Sequence, residues 1–229
     1  MSGLVVSLDG PGSSGKSTVG AAAAARVGYR FCDTGVLYRG LAWLAVDRDV
    51  DGADEQRLVE LVDRLRLVAD AEGRYVRLLV DDLEVTDQLH SSEVDRQVSQ
   101  VARLAGVRAA LLPVQRSLAV GGGMIMAGRD IGTVVLPDAG LKIYLQVSIE
   151  ERARRRAAER GLHDDATELA VIEQDLRRRD GIDSARQVAP LRVPDGAMVV
   201  DTDGNTFEQT VTAVVAAIRA AEQSVGRDR

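Results

Sequence analysis

The 229 residues carry 29 lysines and arginines against 35 aspartates and glutamates, a net charge of −6, with 45% apolar and only 3% aromatic side chains. That length supports one substantial core with room for a small inserted unit, and the acidic balance excludes a protein that coats nucleic acid along its whole surface. A single cysteine, Cys32, excludes an intrachain disulfide and points to a reducing compartment, while no apolar run approaches the roughly 18 residues that a membrane span needs. The N-terminus has no basic stretch leading into a secretory core, so a cytoplasmic protein is expected, bound to neither nucleic acid nor membrane. No apolar interface stripe is evident, which makes a monomer the expectation.

Short apolar runs alternate with longer helical patterns. Leu4–Leu8 reads as a buried strand and Lys16–Val27 as an alanine-rich helix; Tyr29–Cys32 is a second strand, and Val36–Val46 and Asp54–Leu65 are helices. From Leu65 the pattern switches to apolar–polar alternation, with turns at Ala71-Glu72-Gly73 and Asp81-Asp82, which predicts a small antiparallel meander. Helices follow at Ser91–Leu104 and Val107–Val120, then strands at Met124–Ala127, Leu141–Val147 and Ala197–Asp201. Helices at Ile149–Arg160, Thr167–Arg179 and Phe207–Ala221 fill the gaps, and the terminal SVGRDR reads as frayed. The sum is an α/β fold: a five-stranded parallel sheet flanked by helices, with a small antiparallel β insertion.

DGPGSSGKST, residues 9–18, matches G-x-x-x-x-G-K-[ST] at every fixed position, between a predicted strand and a predicted helix. Such a loop turns successive backbone N–H groups onto anionic oxygens, aided by the helix N-terminus. Gly10, Pro11, Gly12, Ser13, Ser14, Gly15, Lys16, Ser17 and Thr18 are therefore the candidate cradle for a nucleoside triphosphate. Lys16 is expected at the β/γ-phosphates and the Ser17 hydroxyl at a phosphate or Mg²⁺.

The loop by itself does not separate kinases from switches. There is no Asn-Lys-x-Asp stretch of the GTPase kind. Instead, arginines stand beside turns. DTGVLYRG (33–40) follows the second strand, where Thr34 and Gly35 open a helix with Tyr38 and Arg39 one turn in, a second phosphate site; GRDIGT (128–133) follows the third, so Arg129 and Asp130 fall at a strand end, where open parallel sheets bind ligands. ERARRRAAERG (151–161) and LRRRDGIDSARQVAPL (176–191) are two further arginine patches. Either can be a solvated helix face or a set of groups over a transferring phosphoryl. His90 and His163 lie in polar surroundings with no metal-ligand spacing, and Trp43 is expected to pack on its own helix.

These segments, with SQVA at 99–102 between them, resemble the bacterial cytidylate kinases in order and spacing from Leu4 to about Ala221. The resemblance implies a P-loop kinase in one domain: a core of about 3–64, 101–147 and 187–224, an acceptor-binding insertion at about 65–100 and a lid at about 148–186. It implies that Thr34, Arg39 and Arg129 bind the acceptor monophosphate, with Tyr38 beside them, and that Ser99, Arg108 and Asp130 contact cytosine. Arg179 and Asp183 would hold the ribose hydroxyls, with Arg186 close by. Arg154–Arg156 would approach the ATP phosphates, Arg155 taking a catalytic place beside Lys16, Arg39 and Arg129. A carboxylate at 130 would accept from the cytosine amino group and repel the O4 of uracil. Two positions depart from the family pattern. Ala127 stands where an acidic residue is common, and Ala105-Gly106 where a proline often precedes the arginine.

The expectation is transfer of the γ-phosphoryl of ATP, with Mg²⁺, to CMP or dCMP. A kinase of another small acceptor, and a nucleotide switch that hydrolyses ATP without an acceptor, remain as alternatives.

Overall fold

The structure is a computed structural model that describes residues 3–162 and 165–227; His163 lies outside the described residues. β1 (Val5–Asp9) forms from the first apolar run and feeds the glycine loop, and α1 (Lys16–Val27) starts at the loop's lysine. β2 (Arg30–Asp33) and α2 (Gly35–Asp47) follow, then α3 (Glu55–Leu61), which Asp54 caps through the Arg57 N–H. The expected helix to Leu65 is shorter, because Leu65 is drawn into β3 (Leu65–Ala69) opposite Val80 of β4 (Arg74–Val80). β5 (Leu83–Glu84) closes the meander.

α4 (Ser92–Val101) and α5 (Ala105–Leu118) lead to β6 (Met124–Gly128), β7 (Leu141–Gln146), α6 (Ile149–Glu159), α7 (Ala166–Ser184), β8 (Met198–Asp201) and α8 (Phe207–Arg227). Two helices run further than their patterns indicate. α7 carries the second arginine patch as far as Ser184. α8 continues to Arg227 through the stretch expected to fray, beyond Glu222, which accepts a hydrogen bond from Tyr29 Oη at 2.5 Å. No described helix is long and apolar enough to cross a membrane.

The α/β class stands, but the sheet is larger than five strands. Its order is β3-β4-β2-β6-β1-β7-β8, with β5 on β4, eight strands in all. β4 joins β2 in parallel through Phe31–Arg74 and Cys32–Tyr75, so the meander extends the main sheet instead of standing apart from it. Alternation along the central strands divides the core between two faces. Phe31, Ile125, Ile143 and Leu145 pack toward α1 and α8. Cys32, Met124 and Met126 pack toward α2, α4 and α5. α6 and α7 have a small core of their own, in which Ala153 and Ala157 meet Ile172 and Leu176.

Register sets the level of the functional turns. Asp9, the last residue of β1, lies opposite Gly128, and Asp33, the last of β2, lies opposite Ala127. The glycine loop, the Asp33-Thr34-Gly35 turn and the Gly128-Arg129-Asp130 turn therefore leave the sheet side by side at its C-terminal edge.

Candidate active site

The loop geometry follows from its glycines. Gly15 has φ 85°, a conformation costly to any residue with a Cβ, and a Cβ on Gly10 would stand 2.7 Å from the Leu145 carbonyl. Lys16 Nζ folds under the loop, donating to Pro11 O at 2.6 Å and to Ser14 Oγ at 3.2 Å. Desolvation there, reinforced by the nearby Arg129, pushes its ammonium down to about 7, against the pull of Asp33, Asp9 and Asp183. Ser17 Oγ donates to Asp33 Oδ2, and Asp33 Oδ1 accepts from the Gly35 N–H at 2.9 Å. Thr18 turns back onto its own helix, donating to Gly15 O at 3.0 Å.

Asp9, fully buried, accepts from the Ile131 and Gly132 N–H groups at 2.7 and 2.8 Å. Burial raises its carboxyl to about 6, and those two amides restrain the rise. They fix a wide turn at Ile131–Val135, in which Val135 and Leu136 donate five residues back. That turn holds the two preceding residues at the crevice. Arg129 reaches over the glycine loop, donating through Nη1 to Gly10 O at 3.1 Å, while its Nε pairs with Asp183 at 2.9 Å. Asp130 is buried and pairs with Arg108, which also donates to Ala102 O at 2.9 Å and lies 5.3 Å from the centre of the Tyr38 ring.

The other candidates converge from further along the chain. Asp183 also pairs with Arg186, and Arg186 has two buried nitrogens, Nε and Nη1, without a partner among the described residues; Arg108 Nε is another such donor. Buried donors of this kind are rare unless an acceptor comes from elsewhere. Burial, with the charges of Arg129 and Arg39, depresses Arg179. Arg39 donates through Nη1 to Leu89 O and to Asp95, each at 2.9 Å. Ser99 is buried on α4. The arrangement is a cationic crevice with a phosphate loop at one end and a buried Arg–Asp pair at the other.

A family model described as cytidylate kinase matches residues 6–220. The chain belongs to the cytidylate kinase family. The cytidylate kinase of Geobacillus sp. (strain WCH70) is 40% identical over 212 residues, which cover 92% of this chain and 94% of that one. The cytidylate kinase of Pelotomaculum thermopropionicum is 40% identical over 220 residues, 95% and 97% of the two chains. A bifunctional pantoate ligase/cytidylate kinase of Synechococcus sp. (strain RCC307) is 41% identical over 217 residues, 94% of this chain but 42% of that one. A gluconokinase structure from Sinorhizobium meliloti aligns over 99% of this chain with a TM-score of 0.52 and 15% identity, a likeness of fold alone.

Within this cytidylate kinase fold, most residues singled out from sequence meet at one crevice, and three do not behave as expected. Arg155 turns away from the glycine loop and binds Glu151 and the β8 end, donating to Thr202 O at 2.7 Å. Arg154 is exposed and, among the described residues, pairs only with Glu151. Thr34 is buried and spends its hydroxyl proton on Ala127 O at 2.9 Å, which ties β2 to β6. Ala127 is itself enclosed in β6, and Arg108 reaches Asp130 despite the glycine at 106. Trp43 bonds Gln88 through its indole N–H at 3.1 Å, and His90 sits at the surface.

Four groups were missed: Asp9, Asp33, Arg152 and Asp95. Arg152 is buried and donates to the loop carbonyl of Gly12 at 3.2 Å and to Asp180 at 2.5 Å. Its signal was helical spacing, since Arg152 and Arg156 are four apart on one face of α6. Asp9 and Asp33 had a signal in their position, the last residue of a strand leading into a functional turn.

Proposed function

We propose that the protein transfers the γ-phosphoryl group of ATP to CMP or dCMP, giving ADP and CDP or dCDP. The observation that carries this reading is Arg129. It stands on the turn that presents Asp130 yet lies over the glycine loop, so one residue spans the donor and acceptor ends of the crevice. Lys16 and the loop N–H groups take the β- and γ-phosphates. Arg39 and Arg129 take the acceptor phosphate, and Arg152 approaches the loop from the lid formed by α6 and α7. The segment 65–100 forms the acceptor arm. The Arg108–Asp130 pair presents a carboxylate and a guanidinium edge that suit the amino group and ring carbonyl of cytosine. Asp183, Arg186 and Arg179 suit the sugar.

The acceptor is a phosphate oxygen, already a nucleophile near neutral pH, so no general base is required. Catalysis then consists of alignment and charge neutralisation in a site closed to water. The Ser17 hydroxyl beside the Asp33 carboxylate fits a hard dication, which prefers oxygen donors. Those two residues would hold Mg²⁺, which supplies charge neutralisation on the ATP phosphates. A cytoplasmic monomer completes the reading.

An acceptor panel tests it: ADP release is followed with CMP, dCMP, UMP, AMP and dTMP at equal concentration. CMP or dCMP is expected to give the highest turnover. Faster turnover with UMP, AMP or dTMP, or ATP hydrolysis independent of any acceptor, would refute it.

A further inference from the structure

Asp95, in the first turn of α4, receives arginines from opposite sides of the crevice. Arg39 of α2 donates to Oδ1 at 2.9 Å, and Arg156 of α6 donates to Oδ2 at 3.1 Å; Arg160, just past α6, lies 3.9 Å from the same oxygen. Burial alone would raise the carboxyl, but Arg39, Arg156 and Arg179 outweigh it and hold it below the ordinary carboxylate range. The side chains of Asp95 and Arg39 are only 17% and 16% exposed, so this ion pair is largely withdrawn from water. It joins positions 56 and 61 residues apart along the chain and links the acceptor arm to the lid.

The pattern of donors on Arg39 is informative. Nη1 is saturated, with its two hydrogens on Leu89 O and Asp95. Among the described residues, Nε and Nη2 make no hydrogen bond, and that is the edge a guanidinium uses to grip an oxyanion with two parallel bonds. Asp95 thus fixes the plane of Arg39 with its gripping edge unspent. Its second oxygen anchors Arg156, so α6 is held toward the same crevice. Without a carboxylate between them, Arg39, Arg156, Arg160 and Arg179 would repel one another and the lid would lose its hold on the arm.

From this junction, and resting on the function proposed above, we infer that Asp95 is a positioning residue that couples the two substrates: binding at the acceptor arm favours lid closure over ATP, and the reverse. It touches neither substrate. A mere counter-charge would have the opposite consequence, because removing a negative group beside a phosphate site strengthens anion binding, whereas removing a positioning group weakens it.

The test is calorimetric binding of CMP to the full chain, alone and with a saturating non-hydrolysable ATP analogue. It uses the native protein, Asp95→Asn, Arg156→Gln and the double variant. The native protein is expected to bind CMP at least about fivefold more tightly in the presence of the analogue, the lower end of ordinary coupling between sites. The factor should fall to near one in each single variant and no further in the double. Coupling retained in Asp95→Asn, tighter CMP binding by that variant, or no coupling in the native protein overturns the inference. Should Asp95→Asn fail to fold, Arg156→Gln reads the same junction from the lid side, and coupling retained there is equally fatal. Failure of the native protein to bind CMP at all would instead sink the functional reading.

Discussion

Asp130→Ala separates the structural from the recognition role of the buried Arg108–Asp130 pair. Both side chains are 6% exposed. The substitution leaves Arg108 buried with one carbonyl, Ala102 O, and the face of Tyr38. Removing one member of a buried pair strands the other charge and costs about 3 kcal/mol or more. For a chain of this size each kcal/mol moves the melting temperature by about 2–4 °C, so a fall of roughly 6–12 °C is expected. On the proposed reading, the same change removes the acceptor for the cytosine amino group and the repulsion of the uracil O4. The ratio of kcat/KM for CMP over UMP should drop by about a hundredfold, or about 2.7 kcal/mol of discrimination. The two effects part in Arg108→Met with Asp130→Leu, where apolar packing replaces the pair: stability recovers and base preference does not. The assays are thermal unfolding and coupled ADP release with both acceptors. An unchanged CMP/UMP ratio in Asp130→Ala refutes the recognition role. An unchanged melting temperature refutes the view that Asp130 neutralises Arg108.

Lys16→Met should lower kcat by about two to three powers of ten, as expected when a donor on the transferring charge is lost. It should also raise the melting temperature of the ligand-free protein at pH 7, because the native fold disfavours the charged lysine. With the folded pKa depressed to about 7, the native state binds that proton less tightly than the unfolded chain. The destabilisation is therefore complete below about pH 7 and relieved as pH rises toward the unfolded value of 10.5, so the gain from Lys16→Met should shrink between them. A variant less stable than the native protein at pH 7 would refute the cause assigned to the shift. On α6, Arg152→Gln should reduce kcat by at least about tenfold while Arg155→Gln changes it less than threefold, since Arg152 contacts the glycine loop and Arg155 the β8 end. Stopped-flow or coupled turnover at saturating substrates reads both, and the reverse order would restore Arg155 to the catalytic group.

Local chemistry made much of this protein legible in its sequence. The glycine loop, the strand before it and α1 after it are specified by residues adjacent in the chain, and α1 has the limits its pattern indicates. The turns after β2 and β6 stand out by their arginines and small residues, and parallel register alone brings them level with the loop. Side-chain direction was not legible. The run Arg154-Arg155-Arg156 is uniform in sequence, yet one member is in water, one is on Thr202 and one is on Asp95, because a helix turns each residue toward a different neighbour. The addition of β4 to β2 depended on an exposed sheet edge that no local pattern marks. Asp95 reads as an ordinary acidic residue in the first turn of a helix. Only packing α2, α4 and α6 around one crevice supplies the three guanidiniums that make it a junction, because an ion pair is decided by distance in space, and the chain leaves its partners 56 or more positions away.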